Sequence, residues 1–334
     1  MKRPIKIRFQ NGLLFQTAIN EILGELKREF EFIDSDNPDF IVFGPYGNDI
    51  PAKGSYTRIG YYCENIVPDL SICEWAFGIP REEQVSNDRY KRIQWHGLDE
   101  QTLVKPAGYD PEAIMSSKTK FCNFLYSHEV PYREAFFKQL SRYKKIDAPG
   151  RSMNNMPGMD QQFEGNKWQV KRQYLSEYKF TIAFENDIFP GYQTEKLYDA
   201  MQANSIPIYC GDPFIGEIFN TRSFINAWDY LPEQHGKLVS WLTRNGQMDF
   251  EDMRPSFLNN PRQRVKRKIK SYLRTWKTQL QFNKMDFSKL IEHIIEVDTN
   301  TDLYLQYLRE PWFKNNQPPA NASTAERWRQ IFSM

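Results

Sequence analysis

The chain has 334 residues, 40% of them apolar, 26% charged and 15% aromatic, which suits about two globular domains and excludes a disordered or fibrous protein. A formal net charge of +2 argues against a protein whose main task is neutralising nucleic-acid phosphates. No apolar run approaches the roughly 20 residues of a membrane-spanning helix and no secretory signal pattern opens the chain, so a soluble or peripheral protein of the cytoplasm is expected. The cysteines Cys63, Cys73, Cys122 and Cys210 fit neither a zinc knuckle nor a C-x-x-C pair, and read as free thiols.

In chain order, Ile5–Phe9 alternates apolar and polar residues as a strand does, and Thr17–Phe30 spaces Ala18, Ile19, Ile22, Leu23 and Leu26 as one face of a helix. Asp39–Gly44 is a short apolar run ended by glycine and proline, and Arg58–Tyr62 is a further strand. Residues 1–108 therefore predict an open α/β domain. Pro106, Gly108 and Pro111 mark a linker, after which a second α/β unit occupies residues 109–300. Its predicted elements are a strand at Phe121–Tyr126, a helix at Pro131–Tyr143 with Pro131 in its first turn, a strand at Lys179–Phe184, a helix at Thr194–Ala203 and a strand at Ser205–Tyr209. Arg262–Lys277 is a basic helix with Val265, Ile269, Leu273 and Trp276 on one stripe. It reads first as a packed helix with a solvated cationic face, and second as a helix that contacts an anionic membrane surface. Residues 301–334 are expected to be a helical segment that returns to the first domain. The fold class is α/β, with two Rossmann-like domains facing a cleft and ligands outside the carboxyl ends of the strands.

Lys179–Asp212 reads as one β-α-β unit. The start of its helix offers free N–H groups and a partial positive charge to an anion, with Thr194 as a suitable N-cap. Lys196 opposes the helix dipole, which makes sense if an anion lies beside it. Glu185, Asn186 and Glu195 stand at the same rim and suit sugar or ribose hydroxyls. From residue types alone two readings stay open: a site for some diphosphate, or an ordinary turn followed by a solvated first helical turn. Asp34-Ser35-Asp36 reads as turn chemistry rather than a metal motif. His96, His128, His235 and His293 are scattered over different elements, which makes a histidine-based hydrolase unattractive.

The run FENDIFPGYQTEKLYDAMQANSIPIYCGDP resembles the signature of the glycosyltransferase family 10 α1,3/4-fucosyltransferases of bacterial type. Tyr61–Asp69 (YYCENIVPD) with Asp88-Arg89-Tyr90 resembles the family's N-terminal signature, with Cys63 where many bacterial members have glycine. Phe121–Arg133 and Arg151–Pro157 resemble two further family segments, so that residues 55–215 are covered. The resemblance implies a GT-B-like fold and an inverting transfer of L-fucose from GDP-fucose to an N-acetylhexosamine-containing glycan in α1,3 or α1,4 linkage. It implies Glu64 as the general base. Arg133 and Lys196 would grip the diphosphate, Asn186, Tyr192 and Glu195 would hold ribose and fucose, and Glu185 and Thr194 complete the donor-binding set. No cofactor and no essential divalent metal are implied. A lipid-linked oligosaccharide is one acceptor candidate, and acceptor choice is expected in loops such as Asn48–Lys53 and Trp75–Val85. No sustained heptad is present to set an oligomeric state. The competing readings are a transferase for another GDP-sugar and an inactive glycan- or nucleotide-binding module.

Overall fold

Two parallel sheets carry the chain in the computed structural model, which describes residues 2–94, 96–231, 236–254, 259–282, 285–319 and 323–334. His235 lies outside the described residues. The first sheet contains β1 (Arg3–Gln10), β2 (Phe30–Asp34), β3 (Phe40–Phe43), β4 (Thr57–Tyr62), β6 (Trp75–Gly78) and β7 (Tyr90–Arg92), in the order β2-β1-β3-β4-β6-β7; β5 (Ile66–Val67) stands apart from it. The second contains β8 (Lys120–Asn123), β9 (Ile146–Asp147), β10 (Tyr178–Phe184), β11 (Ile206–Cys210) and β12 (Ile225–Asn226), in the order β12-β11-β10-β8-β9. A last strand, β13 (Met248–Asp249), pairs in parallel with β5, so a short ladder joins the two halves of the chain. This is the α/β architecture read from the sequence.

Burial explains the strand patterns. β10 is covered on both faces and has Lys179 as its single partly exposed residue, as expected of a central parallel strand. β1 alternates instead. Ile5, Ile7 and Phe9 point into a core, while Lys6 and Arg8 face water.

The predicted helix Thr17–Phe30 divides into an α-helix at Phe15–Glu21 and a 3₁₀ turn at Gly24–Arg28. A glycine inside an α-helix costs about 1 kcal/mol relative to alanine. The tighter turn from Gly24 still buries Leu23 and Leu26. The expected linker holds a helix of its own, Pro111–Ser117, whose first turn is capped by the Asp110 carboxylate accepting from the Ala113 N–H.

Residues 301–334 divide between the two cores. The helix Thr301–Arg309 and the following Trp312 and Phe313 pack on the second sheet's side, with Phe313 stacked on Phe219. The helix Ala325–Phe332 packs on the first sheet. Trp328 stacks on Phe77 with ring centroids 4.3 Å apart, and Phe332 meets Phe30 and Phe40 edge-on. The chain's last helix thus completes the core built by its first hundred residues.

Candidate active site

The segment between β10 and the helix Glu195–Gln202 is built around a buried carboxylate. Glu185 is fully buried, and its N–H donates to the Cys210 carbonyl at 2.8 Å, extending the sheet by one rung. Its carboxylate accepts the Thr194 N–H (2.9 Å), the Thr194 hydroxyl (2.7 Å) and the Lys196 ammonium (3.3 Å). Thr194 occupies the N-cap position, yet its side chain caps no helical N–H. The hydroxyl donates to Glu185 and accepts from Lys196 at 2.8 Å. The anion that makes Lys196 tolerable at a positive helix end is therefore Glu185, inside the protein. Glu185 and Thr194 shape the loop from behind.

Arg133 reaches the same loop from the helix Pro131–Leu140, where Pro131 opens the first turn. It is 1% exposed. Its Nε donates to the Glu185 carbonyl at 3.2 Å, its Nη2 donates to Asn186 Oδ1, and its guanidinium lies 4.1 Å from the centroid of the Tyr126 ring. The neighbouring Tyr132 hydroxyl donates to the same Glu185 carbonyl. Arg133 thus orients the exposed Asn186. The Glu195 side chain is 40% exposed, with Lys196 Nζ 3.6 Å from its carboxylate. Partial burial raises the Glu195 pKa, but Lys196 and Lys171 outweigh it and hold the carboxyl below its ordinary value.

The first domain touches this loop directly. Gly191 has φ +86°, and a Cβ there would lie 3.0 Å from Arg81 Cγ and 3.2 Å from Arg92 Nη2. Only glycine fits both the backbone angle and the approach. Arg92 donates to the Gly191 carbonyl at 2.9 Å, and Gln94 donates to Gln193, which donates to Asp212, each at 2.7 Å.

Glu64 stands between β4 and β5 and accepts a hydrogen bond from the Tyr46 hydroxyl at 2.5 Å. Burial first, and Glu64 second, push the Tyr46 phenol well above its ordinary pKa, so it stays a donor. A cleft brings Glu64 together with Asn186 and Tyr192, and is completed by Thr243, Arg274 and Lys277. Arg133, Glu185, Thr194, Glu195 and Lys196 do not line it; Arg133 bonds Asn186, which does. His96 bonds Tyr61 and His293 bonds Tyr307, and neither lines the cleft. Asp34 ends β2, and Asp36 pairs with Arg8 at 3.1 Å.

The basic helix runs over Pro261–Phe282, five residues beyond the expected end at Lys277, and most of its expected apolar stripe faces water. Its inward face is cationic. Lys270 meets Asp249 and Asp252, Arg274 donates to the Gly246 carbonyl, and Lys277 meets Asp187. Of the expected stripe, Val265, Ile269 and Trp276 face outward, at 58%, 53% and 46% exposure, while Leu273 is half-buried beside Gly246. Helical spacing reveals that two faces exist; an acidic partner surface decided which one is buried. Tyr46, Arg92, Arg274 and Lys277 carry no local signal that would mark them as site residues.

Two family models match the chain. One, described as glycosyltransferase family 10 (fucosyltransferase) C-term, matches residues 115–251, and the other, described as alpha-(1,3)-fucosyltransferase FucT N-terminal domain, matches residues 7–98. The chain is 32% identical over 202 residues to a putative fucosyltransferase of Acanthamoeba polyphaga mimivirus, covering 59% of this chain and 25% of that protein. It is 29% identical over 226 residues to the alpha-(1,3)-fucosyltransferase FucT of Helicobacter pylori, covering 57% of this chain and 45% of that one. The chain thus spans less than half the length of these two relatives. A crystal structure of an alpha1,3-fucosyltransferase superposes with a TM-score of 0.65 at 20% identity, over 100% of this chain and 91% of that chain. A crystal structure of alpha1,3-fucosyltransferase with GDP-fucose gives 0.64 at 20% identity, over 100% and 92%. These neighbours share the fold.

Proposed function

The chain belongs to glycosyltransferase family 10, the fucosyltransferases, and from that premise we propose that it moves L-fucose from GDP-β-L-fucose, with inversion, to a hydroxyl of an N-acetylhexosamine-containing glycan in α1,3 or α1,4 linkage. The observation that carries the proposal is that Glu64, from the first sheet, lines one cleft with Asn186 and Tyr192, from the second. In this reading residues 1–108 supply the base and the acceptor face, and residues 109–300 hold the donor.

Inversion needs one in-line displacement. A sugar hydroxyl is a weak nucleophile at neutral pH, so Glu64 takes its proton as the new C–O bond forms. The Tyr46 hydroxyl holds the carboxylate in place. The anomeric carbon becomes oxocarbenium-like as the bond to GDP breaks. Negative charge then grows on the departing diphosphate, which the N–H groups of the helix Glu195–Gln202 stabilise, while the buried Arg133 and Lys196 add fixed positive charge from beneath the loop. Fixed cations there do the work of a divalent ion. Labelled fucose is expected to pass from GDP-fucose to members of a glycan array, at a rate unchanged by EDTA. Transfer from a different GDP-sugar in its place, or from none, would overturn the proposal in favour of the other-donor or the inactive-module reading. A rate abolished by EDTA and restored by Mn²⁺ would overturn the metal-free part.

The outward face of the basic helix supports a second reading, contact with an anionic membrane surface and hence a lipid-linked acceptor. Among the described residues no helix is long and apolar enough to cross a membrane. Val265, Ile269, Tyr272 and Trp276 are exposed along one side, with exposed Arg262, Lys266 and Lys268 beside them, and the adjoining helix Lys237–Gly246 adds exposed Leu238 and Trp241. Aromatic and aliphatic side chains flanked by cations suit a headgroup layer. Vesicles containing phosphatidylglycerol are expected to bind the protein at low salt. Binding should weaken as salt rises, and Ile269→Ser with Trp276→Ser should abolish it. No sedimentation with these vesicles at low salt would sink the idea.

A further inference from the structure

The basic helix also has an inward face, and that face touches both sides of the cleft. At one end, Lys277 is 2% exposed, and its ammonium donates to Asp187 Oδ1 at 2.7 Å and to the Ile188 carbonyl at 2.9 Å. Those residues follow Asn186 in the donor loop, so the loop is held by Arg133 on one side and Lys277 on the other. Two turns earlier, about 10.5 Å along the same face, Lys270 donates to Asp249 Oδ2 at 2.6 Å and to Asp252 Oδ2 at 2.7 Å. Asp249 belongs to β13, whose residues Met248 and Asp249 pair with Ile66 and Val67. The Ile66 N–H donates to the Glu64 carbonyl at 2.8 Å. Lys270 therefore connects to the Glu64 turn through a single ladder.

We propose that the helix Pro261–Phe282 is the bar that sets the spacing between the Glu64 turn and the donor loop, with Lys270 and Lys277 as positioning residues for opposite sides of the cleft. Stability alone does not explain the arrangement. Burying ammonium groups against carboxylates costs desolvation that apolar packing avoids, yet this helix points Lys270, Arg274 and Lys277 inward while Val265, Ile269 and Trp276 stand exposed. Ion pairs fix distance and register where apolar packing tolerates sliding. Burial raises the Asp249 pKa, but Lys270 and Lys266 outweigh it and pull it to about 2, so its pairing persists through the neutral range. Arg274, midway, donates to the Gly246 carbonyl and faces the cleft.

The roles assigned to the two sides rest on the transferase reading, but the bar itself is tested without activity. Hydrogen exchange of the full chain would be compared for wild type, Lys270→Met and Lys277→Met. Lys277→Met should speed exchange at residues 186–190 and leave 64–67 unchanged; Lys270→Met should do the reverse. With GDP as probe, Lys277→Met should weaken binding about tenfold while Lys270→Met keeps it within about twofold. In the transfer assay Lys270→Met should lower kcat about tenfold, and Lys277→Met should act mainly on KM for the donor. Lys277→Arg should restore most of the GDP affinity. Equal effects of both methionine variants on both segments, or none on either, would overturn the proposal. If a methionine variant does not fold, Asp187→Asn and Asp249→Asn are read in its place against the same split. A wild-type protein that transfers nothing while the exchange split holds would sink the transferase reading and leave the bar standing.

Discussion

Glu64→Gln is expected to lower fucosyl transfer by about 10²–10⁴-fold, the usual contribution of a general base, and to leave GDP affinity within about twofold of wild type. Glutamine keeps the shape of the side chain and can still accept the Tyr46 hydroxyl's hydrogen bond. What it cannot do is take the acceptor's proton. Donor binding should survive because, among the described residues, the Glu64 side chain bonds Tyr46 and makes no hydrogen bond or ion pair with Arg133, Lys196 or residues 185–194. The measurement is initial rate with saturating GDP-fucose and acceptor, alongside calorimetry with GDP. A glutamine variant that transfers fucose at the wild-type rate would remove Glu64 from the mechanism. Equal loss of rate and of GDP affinity would make it a donor contact.

Glu185→Ala is expected to be severe for a different reason. The carboxylate is fully buried and receives two hydrogen bonds from Thr194 and an ion pair from Lys196, itself only 15% exposed. Removing one partner of such a pair costs about 3–5 kcal/mol, which for a domain of this size lowers the melting temperature by roughly 10 °C. GDP affinity should fall with it, because the start of the helix Glu195–Gln202 loses its anchor. Glu185→Gln still accepts from Thr194 and should lose less on both counts. Thermal unfolding and GDP titration of the two variants decide the matter. An alanine variant that melts like wild type and binds GDP weakly would make Glu185 a direct donor ligand.

The two predictions differ because the structure separates residues that the sequence groups together. Glu185, Asn186, Thr194, Glu195 and Lys196 were legible as a cluster of polar groups at a strand-to-helix junction. Residue type and spacing did not reveal that Glu185 spends its hydrogen-bonding capacity inside the protein while Asn186 faces the cleft. Thr194 shows the same limit. It stands at the N-cap position that its type predicts, but the nearest acceptor for its hydroxyl is a carboxylate nine residues back in the chain. Arg133 was recognised by its resemblance to a family segment, while its contact with Asn186 depends on how one helix packs against the end of β10.

What the sequence determined by itself was local: the strand and helix rhythm of two α/β units, the glycine and proline breaks, and the family signature across residues 55–215. Short-range periodicity and backbone preference carry that information. Only the tertiary structure decided the rest. It docked Trp328 against Phe77, more than two hundred residues away, split the last thirty residues between two cores, and set Tyr46 beside Glu64. It also turned Lys270 and Lys277 of the basic helix toward Asp187, Asp249 and Asp252. An amphipathic helix states that it has two faces; which one is buried depends on the charge and shape of the surface it meets, and that surface is assembled from distant parts of the chain.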